Sequence, residues 1–212
     1  MGPVIAPDDV VPRWPSVLTW QAHDAPRMES ARVQVTERGV KAFGRVVGGS
    51  CPEHPAFNAS YDLLLGADGV TRRLSMRSVV ARGERQVSIT RNAEGFWLVD
   101  HGQGPRRAEF DGALDVDVVL SPLFNALVVR RLELHSAAET GIPTADVPVV
   151  YVTLPELTVS GEVLHYEVAP GAVAPGAAAG RVVSVRTPLG SAELTVDDEG
   201  FVLDYPGLSA RV

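Results

Sequence analysis

Apolar and polar residues alternate along this chain in short runs, most cleanly in Arg32-Val33-Gln34-Val35-Thr36 and Gln86-Val87-Ser88-Ile89-Thr90. A period of two sends successive side chains to opposite faces of a strand, so each run has one face turned to an apolar interior. Similar runs rich in Val, Leu, Thr and aromatic residues predict strands over 16–24, 30–37, 40–47, 60–66, 71–80, 85–91, 95–100 and 115–120. The second half predicts them over 128–134, 149–154, 162–168, 181–187, 191–196 and 201–205. Turns ending on glycine fall between several of them, at 37–39, 67–69, 91–95 and 197–200. The pattern is all-β and mainly antiparallel, with a curled sheet or half-open barrel as the expected architecture.

Helix is scarce. The segment 121–128 has Ser121 placed to cap, Pro122 at the first helical position and apolar residues at 123, 124, 127 and 128. A second short helix is predicted over 136–140. The Pro-rich residues 1–14 are read as a leader and 15–212 as a single domain, with the Gly/Ala/Pro segment 170–180 as a low-complexity loop.

Composition narrows the function. A formal net charge of -7 and scattered arginines argue against nucleic acid as a partner. No apolar run reaches the roughly 18 to 20 residues of a membrane-spanning helix, and the first residues lack a basic and apolar secretory pattern. A cytoplasmic location is therefore expected. The single cysteine, Cys51, has no partner for a disulfide and is read as a small buried hydrophobe.

Candidate chemistry concentrates in DVDVVLSPLFNALVVRRLEL, residues 115–134. Asp115 and Asp117 share one face of a strand. Neither further oxygen ligands nor a nucleotide framework accompanies them, so no metal is expected. A strand over 128–134 would send Arg130 and Arg131 to opposite sides, Arg130 joining Val128, Leu132 and Leu134. A guanidinium on an apolar face requires a carboxylate or an anionic ligand, and pairing of Arg130 with Asp115 or Asp117 is the structural expectation. His135 and His165 have the right intrinsic pKa for acid–base work, and Glu167 stands on the same predicted face as His165. Trp20, Phe43, Tyr61, Trp97, Tyr151, Tyr166 and Tyr205 all lie in predicted strands, where such rings line ligand cavities or fill cores. No nucleophile elbow, zinc motif or phosphate loop occurs, and no cofactor is expected.

The central segment resembles the signature of the bacterial putative glycolipid-binding proteins, matching at Asp115, Asp117, Ser121, Pro122, Asn125, Leu127, Arg130, Arg131 and Leu132. The closing segment VDDEGFVLDYPGLSARV resembles the same family's C-terminus at Asp198, Gly200, Asp204, Tyr205, Pro206 and Arg211. Trp20, Tyr61, Thr71-Arg72 and Gly95-Phe96-Trp97 fall in a fitting order. Phe124, Ala126, Val128 and Val70 depart from the family's pattern, as expected of a divergent member.

The resemblance implies a spiral β-roll, a curled sheet around an apolar cavity. The expected function is then binding of a hydrophobic or amphiphilic small molecule, lipid- or glycolipid-like. Its head group would be held at a polar mouth by Asp117, Asn125, Arg130 and Arg131, with Trp20, Tyr61, Trp97, Tyr166 and Tyr205 lining the site. The alternative is an enzyme using the same cavity for cyclisation, isomerisation or hydrolysis of a hydrophobic substrate, with Asp117, His135, His165 and Glu167 as acid–base candidates.

Overall fold

The computed structural model describes residues 14–136, 144–168 and 180–212. The leader 1–14, the helix predicted over 136–140 and the loop 170–180 lie wholly or almost wholly outside the described residues. In chain order the first elements are β1 (Ser16–Ala22), β2 (Arg27–Thr36), β3 (Gly39–Gly48), β4 (Phe57–Leu65), β5 (Thr71–Val80), β6 (Gly83–Arg91), β7 (Trp97–Asp100) and β8 (Arg106–Ala108). There follow β9 (Asp115–Val118), α1 (Pro122–Arg131), β10 (Thr144–Val152), β11 (Val159–Glu167), β12 (Arg181–Thr187), β13 (Gly190–Val196), β14 (Val202–Tyr205) and β15 (Ser209–Arg211).

All the described strands belong to one sheet, ordered β8 to β1, then β15 down to β9. Each half is a meander of hairpins, and the two halves meet where β1 pairs antiparallel with β15. Every pairing is antiparallel except that of β9 with β10, which run parallel on either side of α1. A parallel pair requires a crossover, and α1 provides it. The sheet curls without closing into a barrel. Its β9 end tucks inside, where the Leu114 carbonyl accepts from the Thr71 N–H at 3.0 Å and the Ala113 carbonyl from Trp97 Nε1 at 3.1 Å. The result is the spiral roll.

Turn chemistry explains the strand ends. Gly39, at φ +122°, turns β2 into β3 and packs so closely on the Leu65 carbonyl that a Cβ would meet it at 2.2 Å. That combination of backbone angle and contact admits only glycine.

The segment 128–134 corrects the strand expectation: α1 runs to Arg131 and turns follow. Residues Pro122 to Val129 are all buried, because the curled sheet surrounds the helix. A helix enclosed on every side shows no polar stripe, so its 3.6-residue period is invisible in the sequence. Val128 and Val129 then pass for strand residues. The helix starts at Pro122 as expected, but Ser121 does not cap it with its side chain. Its hydroxyl instead donates to Glu29 Oε1 at 2.7 Å. Glu29, buried on β2, also accepts from the Tyr61 hydroxyl at 2.5 Å and lies close to the Leu123 N–H. A carboxyl from the sheet thus takes the place of a local cap at the positive end of the helix.

The core extends from Trp20 and Val33 through Leu63, Leu74 and Ile89 to Leu164, Leu194 and Phe201, with Phe124 of α1 edge-on to Tyr61 at 5.2 Å. Among the described residues, no helix is long and apolar enough to cross a membrane.

Candidate functional site

The two aspartates of β9 both reach toward α1, as their spacing predicts, but they meet different partners. Asp115 is fully buried and accepts from Arg131, Nε to both carboxylate oxygens at 3.0 Å and Nη2 to Oδ2 at 2.5 Å. Consecutive residues on a helix point about 100° apart, so Arg130 diverges from Arg131. Arg130 donates to the Glu199 carbonyl and stacks over the Phe201 ring at 4.5 Å. The expected pairing of Arg130 with Asp115 or Asp117 is corrected on this ground: Arg131 makes the bond to Asp115, because the segment is helical.

Asp117 lies at the floor of a cavity of about 450 Å³ at one end of the roll. The turns after β1, β3, β9, β12 and β14 surround its mouth. Asn125, one turn into α1, donates from Nδ2 to Asp117 Oδ1 at 3.2 Å. Tyr151, the Cα partner of Asp117 on β10, and Tyr205 at the end of β14 contribute phenol side chains to the walls. Tyr166 stands behind them: its buried hydroxyl, beside Asn125, makes no well-formed hydrogen bond among the described residues. On the opposite wall are Arg27, Cys51 and His54, and the rim carries the exposed Leu189.

Burial, seconded by the negative charge of Asp115, pushes the Asp117 carboxyl up to about 7. Burial and then Asp117 itself push the Tyr205 phenol up to about 12, and the Tyr151 and Tyr166 phenols rise for the same two reasons. The phenols therefore stay protonated and can donate. Asp117 near neutrality either accepts or donates, and Asn125 does both. Such a set matches hydroxyl groups well.

Of the residues singled out from the sequence, the structure brings together Asp117, Asn125, Tyr151, Tyr205 and, behind them, Tyr166. The others lie elsewhere. Trp20 is buried with its Nε1 on the Val202 carbonyl at 2.8 Å, and Trp97 and Tyr61 are core residues tied to Ala113 and Glu29. His135 packs near Arg130 and Gly200, its buried Nδ1 without a hydrogen bond among the described residues and its pKa lowered, chiefly by burial. His165 is on the outer face and pairs across the strands with Asp146, not with Glu167, which is exposed.

The curl itself encloses α1, so the cavity opens at the end of the roll and does not run along its axis. Cys51 is half-buried in its wall, not a core residue. No group of three or more His, Cys, Asp or Glu side chains suited to a metal occurs among the described residues. Tyr151, Arg27 and His54 join the site through pairings distant in sequence. Only the parallel register of β9 on β10 would have pointed to Tyr151.

Comparison with known proteins adds two findings. The profile of the family described as "Putative glycolipid-binding" matches residues 17–211. The crystal structure of a DUF1089 family protein from Pseudomonas aeruginosa superposes with a TM-score of 0.70. It has 23% sequence identity and covers 91% of this chain and 95% of its own, a likeness in fold. No curated protein matches the chain.

Proposed function

We propose, for a chain that belongs to the family described as "Putative glycolipid-binding", that it is a cytoplasmic, non-enzymatic binder of an amphiphile with a hydroxyl-rich head group. The head group sits in the Asp117 cavity and the apolar part leaves over the Leu189 rim. The observation that carries this reading is the floor of the cavity, a buried carboxyl and amide on adjacent elements with phenols in the walls. About 450 Å³ is within the usual range for a small-molecule site. Hydroxyls bound there satisfy polar groups that water would otherwise have to reach. A lone cysteine fits a reducing compartment.

Native mass spectrometry of the protein purified from its host is expected to retain a bound amphiphile. In titrations with an alkyl glucoside, Tyr205→Phe is expected to weaken binding by roughly two- to tenfold, the value of one hydrogen bond. Tyr205 is only partly buried, so the variant keeps its fold. Unchanged affinity would remove the head group from this cavity.

The Asp117 carboxyl also favours a second reading, in which the cavity performs acid–base chemistry on a hydrophobic substrate. A group that titrates near 7 serves equally well as acid or base at neutral pH. Of the four acid–base candidates only Asp117 lines this cavity. Substrate turnover that survives Asp117→Asn would sink this alternative.

A further inference from the structure

The outward face of the first half of the sheet is charged in the opposite sense to the molecule. Exposed and buried positions alternate along β2 to β5, and the outward side carries Arg32, Lys41, Arg45, Arg73 and Arg77 against a single carboxylate, Asp62. Arg73 bonds Asp62 at 3.5 Å and Arg77 bonds Glu84 of β6. Arg32, Lys41 and Arg45 have no carboxylate partner among the described residues. This excess stands on a chain whose formal net charge is -7. The outward face of β10 to β13 differs: it mixes Asp146, Glu167 and Glu193 with His165 and Arg186.

Apolar side chains protrude among these cations. The register places Met28 opposite Val47, Val47 opposite Asn58, and Asn58 opposite Val79. Met28, Val47 and Val79 are 39%, 42% and 41% exposed. A second row sets Val17 and Phe43 on either side of Arg32, 65% and 50% exposed. The first row runs along the cavity end of the sheet. The next pair beyond Met28 and Val47 is Arg27 and Gly48, and Arg27 lines the cavity. Leu189, 67% exposed, stands on the same rim.

We propose that this basic and apolar face docks on the surface of an anionic lipid bilayer and sets the mouth of the Asp117 cavity beside it. Arginine and lysine on a convex face are drawn to anionic head groups, while scattered apolar side chains enter the interface between them. Met28, Val47 and Val79, with Asn58 among them, add exposed apolar groups to a face that is already basic. The unpaired cations select an anionic cover over a neutral one. Docking stands apart from the head-group reading, since none of its residues contributes to the cavity floor.

The test is co-sedimentation of the full chain with phosphatidylcholine vesicles and with the same vesicles enriched in phosphatidylglycerol. The bound fraction is expected to rise with phosphatidylglycerol. It should fall in about 1 M salt, where the screening length shrinks to about 3 Å. Arg32→Glu combined with Arg45→Glu should reduce it roughly tenfold or more, and Phe43→Ser with Val47→Ser should reduce it as well. All four positions are exposed, and circular dichroism checks that the variants fold. The cavity variant Tyr205→Phe should sediment like the wild type, so a failure of the head-group reading leaves this result intact. Equal binding to neutral and anionic vesicles, or indifference to the charge reversals, would overturn the proposal. So would a concentration-dependent dimer abolished by the same reversals, which would make a second copy the cover of this face.

Discussion

Arg131→Ala is expected to cost about 3–5 kcal/mol of stability, because it strands a buried carboxylate. Asp115 is fully buried, and among the described residues its side-chain hydrogen bonds come from Arg131, through Nε and Nη2. Burial already raises the Asp115 pKa, and Arg131 is the group that opposes the rise. Without the guanidinium, Asp115 must take up a proton or hold an uncompensated charge in the core. Among the contacts of Arg130 are a bond to a carbonyl and a stack on Phe201, which together are worth roughly 1–2 kcal/mol, and losing them leaves no carboxylate stranded, so Arg130→Ala should cost less. The double variant Asp115→Ala, Arg131→Ala should lose less than the sum of the single changes, since it removes the stranded charge with its partner. Urea unfolding of the wild type, Arg130→Ala, Arg131→Ala, Asp115→Ala and the double variant checks the order. Equal losses at 130 and 131 would contradict the assignment of the pair.

Stability is expected to fall as pH rises from about 4 to about 7, the reverse of ordinary acid denaturation. Burial pushes both Glu29 and Asp117 up to about 7 in the folded protein, against ordinary values of 4.5 and 3.8. Between these limits the folded chain keeps protons that the unfolded chain has released, so raising the pH pulls the equilibrium toward unfolding. Above about 7 both states have lost the protons and the penalty stays constant. Each group contributes on the order of 3 kcal/mol at full effect. The urea midpoint should therefore be higher at pH 5 than at pH 8. Glu29→Gln and Asp117→Asn should each flatten the slope. A midpoint that climbs between pH 5 and pH 8 would mean that these two carboxyls are not held protonated by burial.

The fold was legible wherever a strand has one buried face. The alternation in 71–80 and 181–187 predicts β5 and β12 to the residue, and the glycine turns mark the hairpins. Three-residue strands such as β8 and β15 are too short for a period to register. The error at 128–134 came from enclosure: residues buried on every side lose the polar stripe that distinguishes a helix from a strand. That error moved the ion pair by one residue, from Arg131 to Arg130. At the site, Asp117 and Asn125 stand eight residues apart and could be read together. Tyr151 and His54 enter only through three-dimensional pairing. Trp20, Tyr61 and Trp97 have the chemistry of binding residues, but their polar atoms bond inward, and sequence does not reveal the direction of a ring.

The seam between β1 and β15 has a consequence for biosynthesis. Each hairpin of the first meander forms from neighbouring residues and can assemble as the chain emerges, whereas Trp20 meets Arg211 only after β2 to β14 have been made. Throughout translation the edge of β1 is an open template for any passing strand. The edge of β1 is sealed only when β15 pairs with it, so a nascent chain halted before Ser209 is an aggregation hazard that the folded roll is not.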